Sequence, residues 1–262
     1  MLNDLWPGQS TELLKSLHIL TADGKLNQDS RRKLKQVQHL VQLITPHLEG
    51  AKTFADLGAG KSYLGFILYD LWLRTRDDSR LWAVESRSDL IARSRQIATS
   101  SGFDRVHFVE QTILNATSTG DLPDRIDVVT ALHACDTATD EAIAFALKKQ
   151  ARVIALVPCC QAEVARLLAD LPTSDLKALW AQGIHRREFG SHLTNVIRAL
   201  VLEAHGYKVR VTELTGWEHS MKNELILAEK VQAGNGQARK QLSALLERFP
   251  LPMKLLSLAP LT

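Results

Sequence analysis

A repeated switch of hydrophobic period constrains this chain more than any other feature. Short apolar runs at 53–57, 81–85, 106–110, 126–132 and 153–157 are separated by stretches with helical spacing, such as Leu64, Ile67, Leu68 and Leu71. Such runs suit strands buried on both faces, and parallel neighbours need crossovers of about a dozen residues, which helices supply. The alternation therefore predicts an α/β sheet with helices on both faces. Two further runs, at 207–214 and 224–230, are joined by a connection around Gly216 to Asn223 that is too short for a crossover. They are expected to pair antiparallel, giving seven strands, mostly parallel, with the last reversed.

At 262 residues the chain can bury one substantial core with an extension. The expected division is a helical extension at 1–50, a sheet domain at 51–232 and a C-terminal helix with a tail at 233–262. In the extension, Leu34, Val37, Val41, Ile44 and Leu48 repeat at spacings of three and four, the pattern of one buried helical stripe. Arg31, Arg32, Lys33, Lys35 and His39 decorate its start, as a solvated face or as a basic substrate ledge. Near the end, Leu242, Leu245, Leu246 and Phe249 mark a short amphipathic helix.

Hydrophobic content of 45% and charged content of 23% fit a soluble globular protein and name no function. A net charge of +3 permits a polyanionic partner without requiring one. Three cysteines, with Cys159 and Cys160 adjacent, cannot form a paired framework. The opening MLNDLWPGQS lacks the basic start and apolar run of a cleavable leader, and no segment approaches the ~20 apolar residues of a membrane span. The expectation is a reduced, cytoplasmic protein with no membrane partner.

The stretch FADLGAGKSYLG, residues 54–65, links the first strand to the next helix. A phosphate-cradling GxxxxGK[ST] loop would need glycine where Ala55 sits inside the strand. The dinucleotide pattern GxGxxG is met at Gly58 and Gly60, but Tyr63 holds the third place, which counts against NAD or FAD. What remains is Asp56-x-Gly58-x-Gly60 followed by Glu85 at the end of the next strand. That order fits a nucleoside lacking a pyrophosphate: the glycines admit close backbone approach and Glu85 accepts the ribose hydroxyls. Asp56 either satisfies turn N–H groups or touches the ligand. Glu85 could equally be a surface carboxylate, although its place at a strand's carboxyl end favours a ligand.

With these residues in this order, the chain resembles the class I S-adenosylmethionine-dependent methyltransferases over most of 53–230. Asp56, Leu57, Gly58, Ala59 and Gly60 look like their first motif, and Trp82, Ala83, Val84 and Glu85 like their second. The resemblance implies a Rossmann-like seven-stranded methyltransferase sheet with S-adenosyl-L-methionine as cofactor. By that likeness Gly58 and Gly60 flank the methionine part, Glu85 holds the ribose, Gln111 and Thr112 lie beside the adenine, and Asp56, Ala59 and Leu132 are further cofactor-binding candidates.

A second constellation follows the fourth and fifth strands: Leu132-His133-Ala134-Cys135-Asp136, running on to Asp140, and Val157-Pro158-Cys159-Cys160-Gln161. In a sheet wound as expected these loops lie side by side at the carboxyl edge. The pair is similar to the LHxCxxATD and CC motifs of a subgroup that includes eukaryotic tRNA 2′-O-methyltransferases and related RNA methyltransferases. Ser220, Met221, Lys222 and Asn223 also look like that subgroup. The resemblance implies RNA as substrate, with His133, Cys135, Asp136 and Cys159 as catalytic candidates. Asp136 stands where some relatives have glycine, and Gln161 and Ala162 where a histidine is often found.

The chemistry of these loops has several readings. Adjacent Cys159 and Cys160 point differently and suit a shared zinc ion poorly, so no metal is expected. A cysteine here can serve as a small apolar residue. Transfer to a ribose oxygen or exocyclic nitrogen needs alignment and a base, for which His133 and Asp136 are the candidates. Asp136 and Thr137 can equally cap the next helix, and Asp140 can orient the loop. Cytosine C5-methyltransferases of RNA attach a thiolate to C6, with cysteines after the same two strands. The segment 185–198, with His185, Arg186, Arg187, Phe189, His192 and Arg198, suits phosphate pairing and base stacking, or a solvated helix end. Rival functions are methylation of a protein or small molecule, and RNA binding by a fold that has lost its chemistry.

Overall fold

The structure, a computed structural model, describes residues 5–132, 134–159, 161–171, 175–214 and 224–261. Its strands are β1 (Thr53–Leu57), β2 (Arg80–Glu85), β3 (Val106–Glu110), β4 (Val128–Leu132), β5 (Val153–Val157), β6 (Tyr207–Glu213) and β7 (Glu224–Lys230). They form one seven-stranded sheet in the order β3-β2-β1-β4-β5-β7-β6. The first five strands are parallel, and β7 runs antiparallel to both β5 and β6. This is the expected α/β architecture with its reversed last strand. β4 starts later than the apolar run suggested because Asp127 serves its neighbour: its Oδ2 accepts the N–H groups of Lys52 and Thr53 at 2.8 and 3.0 Å.

Strand side chains alternate between two cores. Phe54, Leu81, Val128, Val153 and Leu225 face one layer, made by α1 (Thr11–Ser16), α2 (Gln28–Ile44), α3 (Tyr63–Leu71) and α4 (Ser88–Ser100). Ala55, Leu57, Val129, Ile154 and Ile226 face the other. That second layer holds α5 (Ile113–Ala116), α6 (Thr137–Lys148), α7 (Glu163–Asp170), α8 (Gly183–Ala204), α9 (Gly236–Arg248) and α10 (Lys254–Leu258). The stripe read in the N-terminal region is buried as expected: Leu34, Val37, Val41, Ile44 and Leu48 join the core of the first layer. Asn27 starts α2 by accepting the Ser30 N–H at 2.8 Å. The terminal helices thus share cores with the sheet. No described helix is long and apolar enough to cross a membrane.

The sheet order reverses direction between β1 and β4. In open α/β sheets the crevice outside the carboxyl ends at such a point is where ligands bind. The loops after β1, β2, β3, β4 and β5 all open at that edge.

Candidate active site

The loop after β1 turns sharply because Gly58 and Gly60 adopt φ of +63° and +58°, the left-handed region that glycine enters without steric cost. Two bonds attach it to β2: the Ala59 N–H donates to the Val84 carbonyl at 2.9 Å, and the Gly60 N–H to Glu85 Oε2 at 2.8 Å. A Cβ on Gly58 would stand 3.9 Å from both Ala134 Cβ and Ile113 Cδ1. The glycine loop, α5 and the loop after β4 therefore meet around one cradle that a side chain at 58 would begin to fill.

Asp56 lies beneath this loop and not in the cradle. It is 2% exposed, and its carboxylate accepts the Thr130 hydroxyl at 3.0 Å and the Gly65 N–H at the first turn of α3. Burial pushes its carboxyl up to about 7, against the lowering effect of those hydrogen bonds. Its work is to hold β1, β4 and the start of α3 in register. A Cβ on Gly65 would meet Asp56 Oδ2 and Leu81 Cδ2 at 3.2 Å each. The close-packing glycine sought at position 63 is thus Gly65, two residues farther on. An isolated glycine inside a helical pattern was the available signal.

Glu85 is 6% exposed and densely held. Its Oε1 accepts the N–H groups of Ser86 and Arg87 at 3.0 and 3.1 Å and Arg87 Nε at 3.0 Å. Arg87 Nη2 reaches Oε2 at 3.3 Å, alongside the Gly60 N–H. Burial acts to raise the Glu85 pKa, but the bonds from Arg87 and from backbone N–H groups outweigh it and leave the carboxyl below its usual value. Glu85 is an ionised acceptor at the crevice. Beside it the Gln111 N–H donates to the Glu85 carbonyl at 3.1 Å. Thr112 caps α5 by accepting the Asn115 N–H at 3.2 Å. Gln111 and Thr112 are therefore brought to the Glu85 end of the crevice, and Leu132, half-buried, ends β4 on its other side.

The loops after β4 and β5 converge as expected, with Cys135 Sγ 3.2 Å from Cys159 Sγ. Cys135 is exposed and Cys159 half-buried. His133 and Cys160 lie outside the described residues, as does the 220–223 segment. Among the described residues no three His, Cys, Asp or Glu side chains could hold a metal ion together.

Asp136 sits at φ +49°, a conformation that glycine would adopt at little cost. Its side chain makes no bond to α6, the helix it precedes. It reaches instead to α7: Oδ1 accepts the Ala162 and Glu163 N–H groups at 2.9 and 3.0 Å, and Oδ2 accepts Arg166 Nη2 at 3.1 Å. One carboxylate thus clamps the cysteine loops together and caps the following helix. Behind it Arg198, fully buried, donates to Asp140 Oδ1 at 2.7 Å, to the Asp136 carbonyl at 2.8 Å and to Asn195 Oδ1 at 3.1 Å. Burial pushes the Asp140 carboxyl up while the Arg198 charge opposes this. Burial likewise raises Glu163, aided by the charges of Asp140 and Asp136.

Two expectations for the 185–198 segment are corrected. Arg198 belongs to the buried network and has no surface to offer a phosphate. Phe189 is stacked on Trp180, with centroids 5.8 Å apart, and packs on Phe249 at 5.7 Å. Aromatic burial has taken it from any base-stacking role. His185, Arg187 and His192 are exposed, and the Ser191 hydroxyl donates to Gln161 Oε1 at 2.8 Å, which ties this end of α8 to the loop after β5. Arg31, Arg32, Lys33 and Lys35 lie on the first turns of α2 in the opposite layer; Arg32 pairs with Asp29 at 3.5 Å.

The residues fit a nucleoside ligand carrying a vicinal diol: a glycine cradle for close approach, an ionised carboxylate at its side, and polar loops beyond. The chain is 23% identical over 228 residues to a glutathione S-transferase C-terminal domain-containing protein of Bos taurus, an alignment that takes in 78% of this chain and 34% of that protein. The Xenopus laevis protein of the same name is 22% identical over 234 residues, 80% of this chain and 36% of the relative. The chain thus spans about a third of the length of these curated relatives. Among solved structures, a Klebsiella pneumoniae protein assigned as an O-methyltransferase superposes with a TM-score of 0.53 at 17% identity, over 87% of this chain and 93% of that one. At that identity the likeness shows the fold alone. A family model described as a methyltransferase domain matches residues 32–167, slightly more than half of the chain, and includes the cradle, Glu85 and both cysteine loops. By that match, this chain belongs to the methyltransferase domain family.

Proposed function

We propose that this methyltransferase modifies RNA, at a ribose oxygen or a base atom. S-adenosyl-L-methionine is its cofactor and supplies an electrophilic methyl group when bound. Gly58, Ala59 and Gly60 admit it to the edge of the sheet, and Glu85 takes its ribose hydroxyls. Gln111 and Thr112 flank the adenine, with Leu132 between the nucleoside and the cysteine loops. The chain's own work is alignment: Asp136 holds the loops after β4 and β5 so that a nucleophile between them meets the methyl in line. With both its oxygens engaged, Asp136 serves better as this clamp than as a proton acceptor. Within this reading His133, on the same loop, removes the proton.

The observation that carries the choice of RNA is the exposed His185, Arg187 and His192 end of α8, seated on the loop after β5 by the Ser191–Gln161 bond. Cationic and imidazole groups on the helix end tied to that loop suit a phosphate backbone, with Arg187 reaching Glu188 at 3.5 Å on the exposed surface. The resemblance of the two cysteine loops to those of tRNA 2′-O-methyltransferases supports the same substrate. A second reading draws on the 3.2 Å approach of Cys135 and Cys159. In it one thiolate adds to C6 of a cytosine, C5 accepts the methyl, and loss of the C5 proton breaks the S–C6 bond again.

Incubating the protein with radiolabelled S-adenosylmethionine and separated pools of RNA, protein and metabolites tests both readings. Label is expected in RNA; label confined to protein or metabolites overturns the RNA assignment. If Cys135→Ser and Cys159→Ser keep most of the activity, ribose or exocyclic transfer stands. Loss of transfer with cofactor affinity intact favours the thiolate route.

A further inference from the structure

Glu85 receives more donors than a ribose could share. Three are backbone N–H groups, from Gly60 at 2.8 Å, Ser86 at 3.0 Å and Arg87 at 3.1 Å, and none of these can leave without unmaking the turns that carry them. Two more come from the Arg87 guanidinium, Nε on Oε1 at 3.0 Å and Nη2 on Oε2 at 3.3 Å. A carboxylate offers about four lone-pair sites, so the three backbone donors and the guanidinium fork already fill it, and the Ser86 hydroxyl, 3.5 Å from Oε1, adds a weak sixth contact. A vicinal diol brings two further donors, which must take the places of donors already there, and the side-chain donors able to make way are the guanidinium and the weak Ser86 contact. The Arg87 side chain is 63% exposed, so it can swing into water at little cost.

Resting on the reading of Glu85 as the ribose acceptor, we propose that Arg87 is a displaceable stand-in for the cofactor's ribose diol and thereby a determinant of which nucleosides the site accepts. The guanidinium fork presents two N–H groups to the two carboxylate oxygens, much as a cis-diol presents two hydroxyls. A ligand with both hydroxyls replaces both bonds; a ligand lacking them removes the guanidinium without compensation, or leaves it in place and forgoes Glu85. Arg87 also keeps Glu85 ionised and aligned while it waits. The competition makes cofactor affinity weaker than the cradle alone would allow. It also makes that affinity sensitive to salt in an unusual direction, because ions weaken the exposed pair that the ribose must break.

Calorimetric titration of the full chain with S-adenosylhomocysteine, which lacks the sulfonium charge, tests this. Arg87→Ala is expected to bind about two- to tenfold more tightly than the wild type, the range that an exposed, two-point ion pair supplies. Added potassium chloride should tighten binding to the wild type and leave Arg87→Ala unmoved. The 2′,3′-dideoxy form of the ligand should show no gain in Arg87→Ala. Equal or weaker binding of S-adenosylhomocysteine by Arg87→Ala overturns the proposal. If Glu85→Gln loses binding while Arg87→Ala shows no gain, the ribose reading survives and the competition does not. If Glu85→Gln binds as the wild type does, the ribose reading fails and takes the proposal with it.

Discussion

Asp56 shows how a motif residue can matter to a site that it does not enter. Its carboxyl, pushed up to about 7 by burial, lies under the glycine loop with Thr130 and the Gly65 N–H as partners. A carboxyl in an unfolded chain titrates near 4, so between about pH 4 and 7 the folded protein keeps a proton that the unfolded chain has released. The stabilisation from this group is therefore full below about pH 4 and lost as the pH rises to about 7. Asp56→Asn keeps an oxygen for the same donors and removes the charge. Denaturant titrations should show the wild type losing ground to Asp56→Asn across that window, by on the order of 4 kcal/mol between about pH 4 and pH 8, with the difference between the two curves constant below about pH 4. Parallel curves would mean that Asp56 titrates normally in the folded state.

The elements around the site are joined by polar groups at their ends rather than by apolar packing alone. Asp136 binds the N-terminus of α7. Arg198 of α8 then binds the Asp136 carbonyl and Asp140 of α6. Three helices and the cysteine loops thus share one polar network, buried at the Arg198–Asp140 pair, and α7 crosses α8 so closely that a Cβ on Gly190 would stand 2.8 Å from the Ala165 backbone nitrogen. A buried pair of this kind is costly to break on one side, because the remaining charge has no solvent to answer it. Arg198→Met should destabilise the fold by about 3–5 kcal/mol, while Arg198→Met combined with Asp140→Leu should recover a large part of that loss. Urea unfolding of the two variants decides it: a single variant within about 1 kcal/mol of the wild type would show that the ion pair holds little together.

At the scale of the whole molecule, each face of the sheet is closed by segments from a chain terminus as well as by crossover helices. Leu13, Leu14, Leu34, Leu40 and Ile44 are buried in the layer that covers Phe54, Val128 and Val153. Leu242 and Leu255 are buried in the opposite layer. Deleting residues 1–50 would remove α1 and α2 and bare the part of that apolar layer they cover, leaving α3 and α4 in place, and an apolar patch opened in this way does not stay in water alone. The truncated chain should lose its cooperative thermal transition and aggregate, as read by circular dichroism and light scattering. A soluble truncation with a sharp transition would establish the N-terminal helices as an appendage.

The sequence by itself determined the α/β class, the seven strands and the reversed last pair, because hydrophobic period and connection length are local properties of the chain. It also located the glycine cradle and Glu85, since a turn that needs positive φ and an acid at a strand end leave a mark within a few residues. Only the tertiary structure decided what the polar residues do. Nothing near Arg198 announces that its carboxylate partner lies 58 residues away. Nor does the sequence around Asp136 show that its oxygens cap α7 rather than α6, or that Phe189 is enclosed by Trp180 and Phe249. A charge or a ring takes its role from the neighbours that folding brings to it, and the free energy of burying it depends on whether they complete its bonds.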